Sequence, residues 1–334
     1  MIKVAVTELE YRKAQSVFSA ASKDGIECLP APTADADLAA FVRKQGAQHV
    51  IVGVDVYAGP LYDALPRGGV IARFGVGHDG VNKELATQNG LFCTNTPGVL
   101  DDSVAELAIA LMLIAARHMA AVTRTTADGQ WTPRVGRELL GKTLAIIGCG
   151  AIGRRVAQIA ARGLGMNVVG CEPAQIDARA MSERFGFTRI CKDFAESVAG
   201  ADYVSLHIPS LPATAHFMNA DRLARIAPQT WLVNTARGAV VDEAALYDAL
   251  AAGRLGGAAL DVFEREPYQP VQPGKDLRTL NNVVMTPHVG SSTQEACDRM
   301  AAAALNNIRL ACAGQLDGLN LLNPAVRGKK NDRG

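Results

Sequence analysis

The sequence predicts an α/β protein with two doubly wound domains. Three observations support this fold class. The chain has 334 residues, which is too long for one ordinary core. Short apolar runs rich in β-branched residues alternate with amphipathic stretches. The runs are apolar throughout rather than at every second position, as required of strands in a parallel sheet that helices cover on both faces.

The predicted strands form two series along the chain, one on each side of a long apolar helix. The first series comprises residues 2–6 (IKVAV), 49–53 (HVIVG) and 70–75 (VIARFG). The second series comprises residues 143–148 (TLAIIG), 167–172 (NVVGCE), 203–208 (YVSLHI), 230–235 (TWLVNT), 257–262 (GAALDV) and 282–287 (NVVMTP). Each series is long enough to build a sheet of its own.

The apolar helix between the two series covers residues 104–116 (VAELAIALMLIAA). It is too short for a membrane span and contains Glu106, so we expect it to lie inside a domain. The preceding residues 101–103 (DDS) offer N-cap side chains, and Glu106 follows Ser103 at the spacing of a capping box.

Composition and charge exclude several classes of protein. The 34 basic and 33 acidic residues leave a net charge of +1, which indicates neither a nucleic-acid nor a membrane-surface partner. The seven cysteines have no CxxC pair or metal-ligand spacing, so we expect reduced thiols, no metal site and a cytoplasmic location. Charges interrupt the first 15 residues, which therefore resemble neither a signal peptide nor an anchor. We expect the charged tail, residues 327–334, to be disordered.

A glycine-rich turn between a predicted strand and a predicted helix indicates a dinucleotide site. The segment TLAIIGCGAIGRRVA places Gly148, Gly150 and Gly153 at this turn. The first glycine permits the tight turn, the second lets the backbone approach a pyrophosphate, and the third allows close packing of helix on strand. The phosphates then lie at the helix N-terminus, where N–H groups and the helix dipole favour an anion.

Glu172 predicts that the dinucleotide is NAD rather than NADP. It ends the next predicted strand, where a carboxylate can bind the ribose hydroxyls and would repel a 2′-phosphate. The following residues 173–176 (PAQI) offer no cation to receive such a phosphate.

Three further polar residues follow predicted strands and suit the reduction of a 2-oxo acid. Arg237, Glu266 and His288 occur in NTARGAVVDEAAL, ALDVFEREP and TPHVGSS. Arginine can grip the substrate carboxylate, while imidazolium delivers a proton to the carbonyl oxygen as hydride reaches the carbon. Glutamate holds the imidazole in place and favours its charged form. All three residues follow the carboxyl ends of predicted strands, which is where doubly wound sheets bind ligands.

The order of the motifs resembles one known family. The match consists of GVGHDGVN, NTPGVLDDSVAELAIALML, GKTLAIIGCGAIGRRVA, LHIPSLPATAHFMN, NTARGAVVDEAAL, LDVFEREP and TPHVGSST. This succession closely resembles the D-isomer-specific 2-hydroxyacid dehydrogenases. The resemblance implies a Rossmann NAD-binding domain, residues 99–290, inserted into a flavodoxin-like substrate domain, residues 1–98 plus 291–334. It also implies an NAD-dependent oxidoreductase that forms a homodimer.

The resemblance implies a role for each matching residue. Arg237 would bind the substrate, Glu266 would orient the histidine, and His288 would act as acid and base. Val76 and Gly77 would hold the substrate carboxylate through backbone N–H groups. The expected cofactor contacts are Gly148, Gly150, Ala151, Ile152, Gly153, Glu172, Ile208, Pro209, Thr235, Ala236, Asp261 and Thr96.

The sequence also predicts a small, unphosphorylated 2-oxo acid as substrate, with glyoxylate or hydroxypyruvate first. The segment equivalent to the family's side-chain pocket, residues 54–60 (VDVYAGP), contains no cation, and Asp55 would repel a phosphate. Tyr57 is expected to close this pocket and donate a hydrogen bond to the substrate.

Two alternative functions stay open at this point. Phosphite oxidation needs the same three residues, whereas a formate enzyme is expected to have glutamine where Glu266 stands. A non-enzymatic corepressor that senses NAD(H) is the second alternative, although the near-neutral charge gives no sign of a basic surface.

Overall fold

The structure, a computed structural model, describes residues 1–328 and divides into two compact units. The first unit comprises Met1–Leu100 and the chain from Ser291 onward, and the second is Asp101–Gly290. The part of the charged tail from residue 329 onward lies outside the described residues.

The first unit contains a five-stranded parallel sheet, with strands numbered in chain order. The strands are β1 (Ile2–Thr7), β2 (Ile26–Ala31), β3 (His49–Val52), β4 (Val70–Arg73) and β5 (Phe92–Thr94). Their spatial order is β2-β1-β3-β4-β5, which is the flavodoxin-like order. Every residue of β3 and β4 is buried, as expected for central strands covered on both faces.

Within the described residues, the first unit has six helices, five before the second unit and one after it. They are α1 (Glu8–Lys13), α2 (Gln15–Ala20), α3 (Asp35–Gln45), α4 (Leu61–Ala64), α5 (Lys83–Gln88) and α13 (Gln294–Cys312). The amphipathic α13 returns the chain to this unit and packs its buried face on β4.

The second unit contains a seven-stranded parallel sheet. The strands are β6 (Thr143–Ile147), β7 (Asn167–Cys171), β8 (Phe187–Cys191), β9 (Tyr203–Leu206), β10 (Trp231–Asn234), β11 (Gly257–Leu260) and β12 (Val283–Met285). Their order is β12-β11-β10-β9-β6-β7-β8, which is the Rossmann order with one strand added beyond β11. The predicted fold class is therefore confirmed.

Helices cover both faces of this sheet. The helices of the second unit are α6 (Asp101–Ala116), α7 (Met119–Ala127), α8 (Ala151–Leu164), α9 (Ala178–Phe185), α10 (Phe194–Val198), α11 (Ala220–Leu223) and α12 (Glu243–Ala251), of which α7 has no buried residue. Short 3₁₀ segments occur at Ala21–Asp24, Pro212–Thr214, Gly238–Val240, Leu277–Thr279, Leu316–Gly318 and Pro324–Gly328. Two hydrophobic clusters, one on each face of the sheet, form the core of the unit.

Of the twelve strands in residues 1–328, nine match strands predicted from the sequence, whereas β2, β5 and β8 were not predicted. All three lie at the edge of a sheet. Edge strands need no continuous apolar run, and β2 contains Pro30 while β8 exposes Thr188 and Arg189. β5 has only three residues.

The expected N-cap of the apolar helix was wrong. α6 begins at Asp101, so Ser103 lies inside the first turn, and its hydroxyl donates instead to the carbonyl of Gly290 at 2.7 Å. The helix is mostly buried, as predicted. Among residues 1–328 no single helix is long and apolar enough to span a membrane; only α6 and α7 together meet that length and composition, with a 67° bend between them.

Candidate active site

The predicted site residues of the second unit lie at one edge of the seven-stranded sheet. Because all its strands are parallel, their carboxyl ends meet at the same edge. The residues that follow these strands are Gly148 after β6, Glu172 after β7, Ile208 after β9, Thr235 after β10, Asp261 after β11 and His288 after β12. The topology thus brings together segments that are up to 140 residues apart in sequence.

The three glycines of the dinucleotide loop meet different surroundings. Gly148 has a positive φ of 94°, and a Cβ there would lie 2.7 Å from the carbonyl oxygen of His207. A Cβ on Gly153 would lie 2.2 Å from the carbonyl oxygen of Gly148, so helix and turn pack without a side chain between them. Gly150, the N-cap residue of α8, has open space where its Cβ would be. The loop therefore fits a pyrophosphate that approaches the backbone at Gly150, with Ala151 and Ile152 in the first turn of the helix.

Glu172 lies against this loop, as the NAD prediction requires. Its Oε2 accepts the backbone N–H of Cys149 at 3.1 Å, and its Oε1 accepts that of Ala174 at 3.2 Å. A carboxylate fixed beside the loop suits ribose hydroxyls and opposes an added phosphate.

The other predicted cofactor residues of this unit follow β9 and β10. Ile208 packs on Gly148, and Pro209 comes next in the chain. The Thr235 hydroxyl is buried without a hydrogen-bond partner in residues 1–328, and the Ala236 N–H donates to Asn234 Oδ1 at 3.0 Å. An unpaired buried hydroxyl at this edge fits a site that a polar ligand completes. NAD thus suits the residues present.

His288 and Glu266 form a close polar pair at the site. His288 Nδ1 lies 2.6 Å from Glu266 Oε2, and both side chains are partly exposed. Within residues 1–328 the other ring nitrogen of His288, Nε2, has no hydrogen-bond partner. A carboxylate on Nδ1 fixes the orientation of the ring and leaves Nε2 as the nitrogen that can contact a substrate.

The backbone also holds the Glu266 carboxylate. Its Oε1 accepts the N–H of Phe263 at 2.9 Å, and the Glu266–Pro267 peptide bond is cis. Burial alone would raise the pKa of Glu266, but the hydrogen bond and charge of His288, the Phe263 N–H and the charge of Arg237 together lower it. Glu266 is therefore ionised at neutral pH.

Arg237 stands on a turn that packs tightly on the Glu266 segment. Its guanidinium donates to the carbonyl of Ala236 at 2.6 Å, and Asn234 Nδ2 donates to the Arg237 carbonyl at 2.9 Å. A Cβ on the next residue, Gly238, would lie 1.8 Å from the carbonyl carbon of Phe263, so only glycine fits. The glycine in this motif is a signal that the sequence analysis did not use.

Asp261 has a structural task that the sequence analysis missed. Its Oδ1 accepts the Thr286 hydroxyl at 2.5 Å and the Val289 N–H at 2.9 Å, and its Oδ2 accepts the Gly290 N–H at 2.8 Å. Burial raises the pKa of Asp261, although these three donors and the charge of His288 counteract it. The carboxylate thus shapes the loop on which His288 stands.

A second histidine at this edge, His207, has different chemistry. Its Nε2 lies 2.9 Å from the Ser205 hydroxyl, and burial lowers its pKa to about 4. It is therefore uncharged at neutral pH and is not a competing proton donor.

The remaining predicted residues lie in the first unit. Gly75 has a φ of 139°, and the following N–H groups of Val76 and Gly77 donate no hydrogen bond within residues 1–328. Thr96 is buried and its hydroxyl has no partner within the same residues. Tyr57 is 1% exposed and belongs to the hydrophobic core of this unit, with its hydroxyl unpaired among the described residues.

Comparisons with known proteins agree with this arrangement. A sequence model of the NAD binding domain of the D-isomer specific 2-hydroxyacid dehydrogenases matches residues 109–290. The chain belongs to this dehydrogenase family. It is 37% identical over 275 residues to a glyoxylate reductase of Thermococcus litoralis, covering 80% of each chain. It is 39% identical over 241 residues to a hydroxypyruvate reductase of Thermotoga maritima, covering 72% of this chain and 76% of the relative.

A solved structure of the same family has a similar fold. The NADPH-dependent glyoxylate/hydroxypyruvate reductase of Sinorhizobium meliloti, in complex with NADP and malonate, superimposes with a TM-score of 0.77 at 28% identity. The match covers 92% of this dehydrogenase and 93% of that chain. Because its NAD binding domain belongs to this family, the present chain is an NAD-dependent oxidoreductase. No cluster of three or more metal-ligating side chains occurs within its described residues.

Proposed function

We propose that the protein catalyses reversible hydride transfer between NADH and a small 2-oxo acid, and forms the D-hydroxy acid where the product has a stereocentre. The observation that supports this most is the 2.6 Å contact between His288 Nδ1 and Glu266 Oε2 at the edge of the sheet where the dinucleotide loop lies. Bound NADH would supply the hydride.

His288 would donate the proton during reduction and accept it during oxidation. Its Nε2 would face the substrate oxygen, because Glu266 holds Nδ1. The negative charge of Glu266 stabilises the imidazolium before the proton leaves. His288 would thus begin each reduction protonated.

Arg237 would bind the substrate carboxylate. Guanidinium has five N–H donors in a planar fork, which matches the two oxygens of a carboxylate. The N–H groups of Val76 and Gly77, which donate no hydrogen bond within residues 1–328, keep their predicted role as donors to a carboxylate. The contact with Arg237 would help to fix the carbonyl carbon of the substrate.

The substrate side chain is proposed to be small and unphosphorylated. In residues 54–60, Val54 and Val56 are exposed, whereas Tyr57 is in the core and therefore offers no surface to a substrate in this conformation. Arg73, the cation nearest in sequence to the Gly75 turn, is buried, and its guanidinium donates to the carbonyl of Phe74. The names of two similar enzymes, a hydroxypyruvate reductase and a glyoxylate reductase, support glyoxylate and hydroxypyruvate as first candidates.

A screen of NADH oxidation tests this proposal. The 2-oxo acids are glyoxylate, hydroxypyruvate, pyruvate, a longer aliphatic 2-oxo acid and phosphohydroxypyruvate, and phosphite with NAD is included as a separate reaction. We expect the highest kcat/KM for glyoxylate or hydroxypyruvate. Phosphohydroxypyruvate as the best substrate would contradict the proposed pocket, and binding of NADH without any turnover would contradict the enzyme function itself.

A homodimer and a cytoplasmic location are further proposals. Large exposed apolar side chains are concentrated between residues 113 and 140: Leu113, Met119, Trp131, Val135 and Leu140. Exposed apolar side chains in this number support association with a second copy, which light scattering would detect. All seven cysteines are unpaired, which supports a reducing compartment.

A further inference from the structure

The segment that carries Glu266, Phe263–Pro267, is fastened to the start of helix α12 by two carboxylates. The N–H of Glu264 donates to Glu243 Oε1 at 2.5 Å, and the N–H of Glu243 donates to Glu264 Oε1 at 3.0 Å. Each glutamate thus accepts the backbone N–H of the other. We call this reciprocal pair the Glu243–Glu264 clamp.

The clamp lies directly beside the proposed acid and base pair. Glu264 is two residues from Glu266, and its neighbour Phe263 donates its N–H to Glu266 Oε1. Gly238, in the Arg237 turn, also packs directly on the backbone of this segment at Phe263 and Glu264. Movement of the Phe263–Pro267 segment would therefore displace Glu266 from His288.

Glu243 is unusual because the carboxylate that it contributes to the clamp is buried. The residue is 4% exposed, and its second oxygen, Oε2, has no hydrogen-bond partner within residues 1–328. Burial, with the charges of Glu264 and Glu266, raises its pKa to about 7, although the Glu264 N–H and Arg265 counteract this. The charged or titratable groups around it are Asp242, Glu264, Arg265, Glu266, Tyr268, Lys275 and, through Glu264, His216.

We infer that Glu243 is a positioning residue, which holds the Phe263–Pro267 segment so that Glu266 meets His288 and which adds negative charge beside that pair when ionised. The inference rests on the proposed function of His288 and Glu266. An ionised Glu243 favours the imidazolium, and thus extends reduction toward higher pH. Glutamine keeps the acceptor oxygen but removes the charge, whereas alanine removes both.

Hydrogen exchange of the whole chain, without substrate or cofactor, tests the clamp directly. In Glu243→Ala the Glu264 N–H loses its acceptor, and we expect the peptide that spans residues 261–268 to exchange roughly fivefold to tenfold faster. Asp248→Asn is the matched control, because Asp248 lies on the same helix and pairs with Lys275 at 2.6 Å instead. Equal exchange in Glu243→Ala and wild type, or the same increase in Asp248→Asn, would overturn the inference.

Kinetics test whether the clamp acts through His288. With the best 2-oxo acid, Glu243→Ala should lower kcat roughly tenfold and leave KM within about twofold, since the carboxylate contacts remain. Glu243→Gln should restore most of kcat and move the basic limb of the reduction profile to lower pH. Two results would overturn the inference. One is a Glu243→Ala variant in which only KM changes, and the other is a Glu243→Gln variant whose basic limb lies at the same pH as in wild type.

The experiments distinguish a failure of the inference about Glu243 from a failure of the proposed function and from a variant that does not fold. If wild type reduces no 2-oxo acid, the proposed function fails while hydrogen exchange still decides the clamp. If Glu243→Ala does not fold, Glu243→Gln alone decides through its pH profile.

Discussion

The backbone N–H of His288 donates to the carbonyl oxygen of Asp261 at 2.8 Å, while His288 itself has a left-handed backbone with a φ of 53°. This conformation turns the chain sharply after β12 and directs the imidazole toward Glu266. It also affects how the histidine is best replaced, because alanine is strained at positive φ whereas asparagine tolerates it.

Replacing Glu266 with glutamine should alter the pH dependence of reduction. The pKa of Glu266 is lowered, so the wild-type carboxylate stays charged down to acidic pH and favours the imidazolium throughout the neutral range. A neutral amide removes this support, and the basic limb of kcat/KM for reduction should move to lower pH. Profiles between about pH 5 and about pH 9 would show the shift. The exposed Glu183→Gln on α9 is the control, and coincident profiles for Glu266→Gln and wild type would refute the assigned role.

Replacing Glu172 with alanine should weaken the preference for NAD. The Sinorhizobium meliloti relative is NADPH-dependent, so the fold itself does not decide between the two cofactors. We expect wild type to favour NADH over NADPH. In the variant, the ratio of kcat/KM with NADH to kcat/KM with NADPH should fall roughly tenfold, since the repulsion between the Glu172 carboxylate and the 2′-phosphate is removed. Glu183→Ala serves again as control. Equal use of both cofactors by wild type would contradict this prediction.

Replacing Glu243 with glutamine should change how stability depends on pH. The folded pKa of about 7 exceeds the ordinary value of 4.5, so between these pH values the folded chain holds a proton that the unfolded chain releases. The contribution of Glu243 to the free energy of unfolding therefore decreases as pH rises from about 4.5 through about 7, by about 3 kcal/mol at most. The variant lacks this titration and should gain stability relative to wild type as pH rises.

Urea unfolding at a pH on each side of this window would measure the difference. Both tryptophans, Trp131 and Trp231, lie in the second unit, so fluorescence follows that unit alone. Parallel changes in wild type and Glu243→Gln would show that Glu243 does not titrate in this range.

Most of the fold follows from local patterns in the sequence. Central strands such as β6 and β10 are buried on both faces, and their continuous apolar runs are therefore visible without a structure. The edge strand β8 has two exposed residues in five, and its pattern matches a loop equally well. The start of α6 was misplaced because Ser103 forms its hydrogen bond with Gly290, 187 residues later, which no local rule detects.

The site could be predicted only in part, for a similar reason. Arg237, Glu266 and His288 each follow a strand, and parallel topology is enough to place them at one edge. The tasks of Asp261, Gly238 and Glu243 depend on contacts between separate segments, such as the 1.8 Å approach that a Cβ on Gly238 would make to Phe263. Tyr57 was expected at the substrate because of its hydroxyl, yet the fold buries its ring in the core of the first unit.

The kcat of a His288→Asn variant tests the central claim most directly. Asparagine suits the left-handed backbone but cannot transfer a proton, so we expect kcat for reduction of the best 2-oxo acid to fall roughly 10²- to 10⁴-fold, with NADH affinity unchanged. The matched control is His118→Asn, at a second histidine with positive φ in the same unit, which should keep wild-type kcat. Near-normal turnover in His288→Asn would contradict the assignment of His288 as the acid and base.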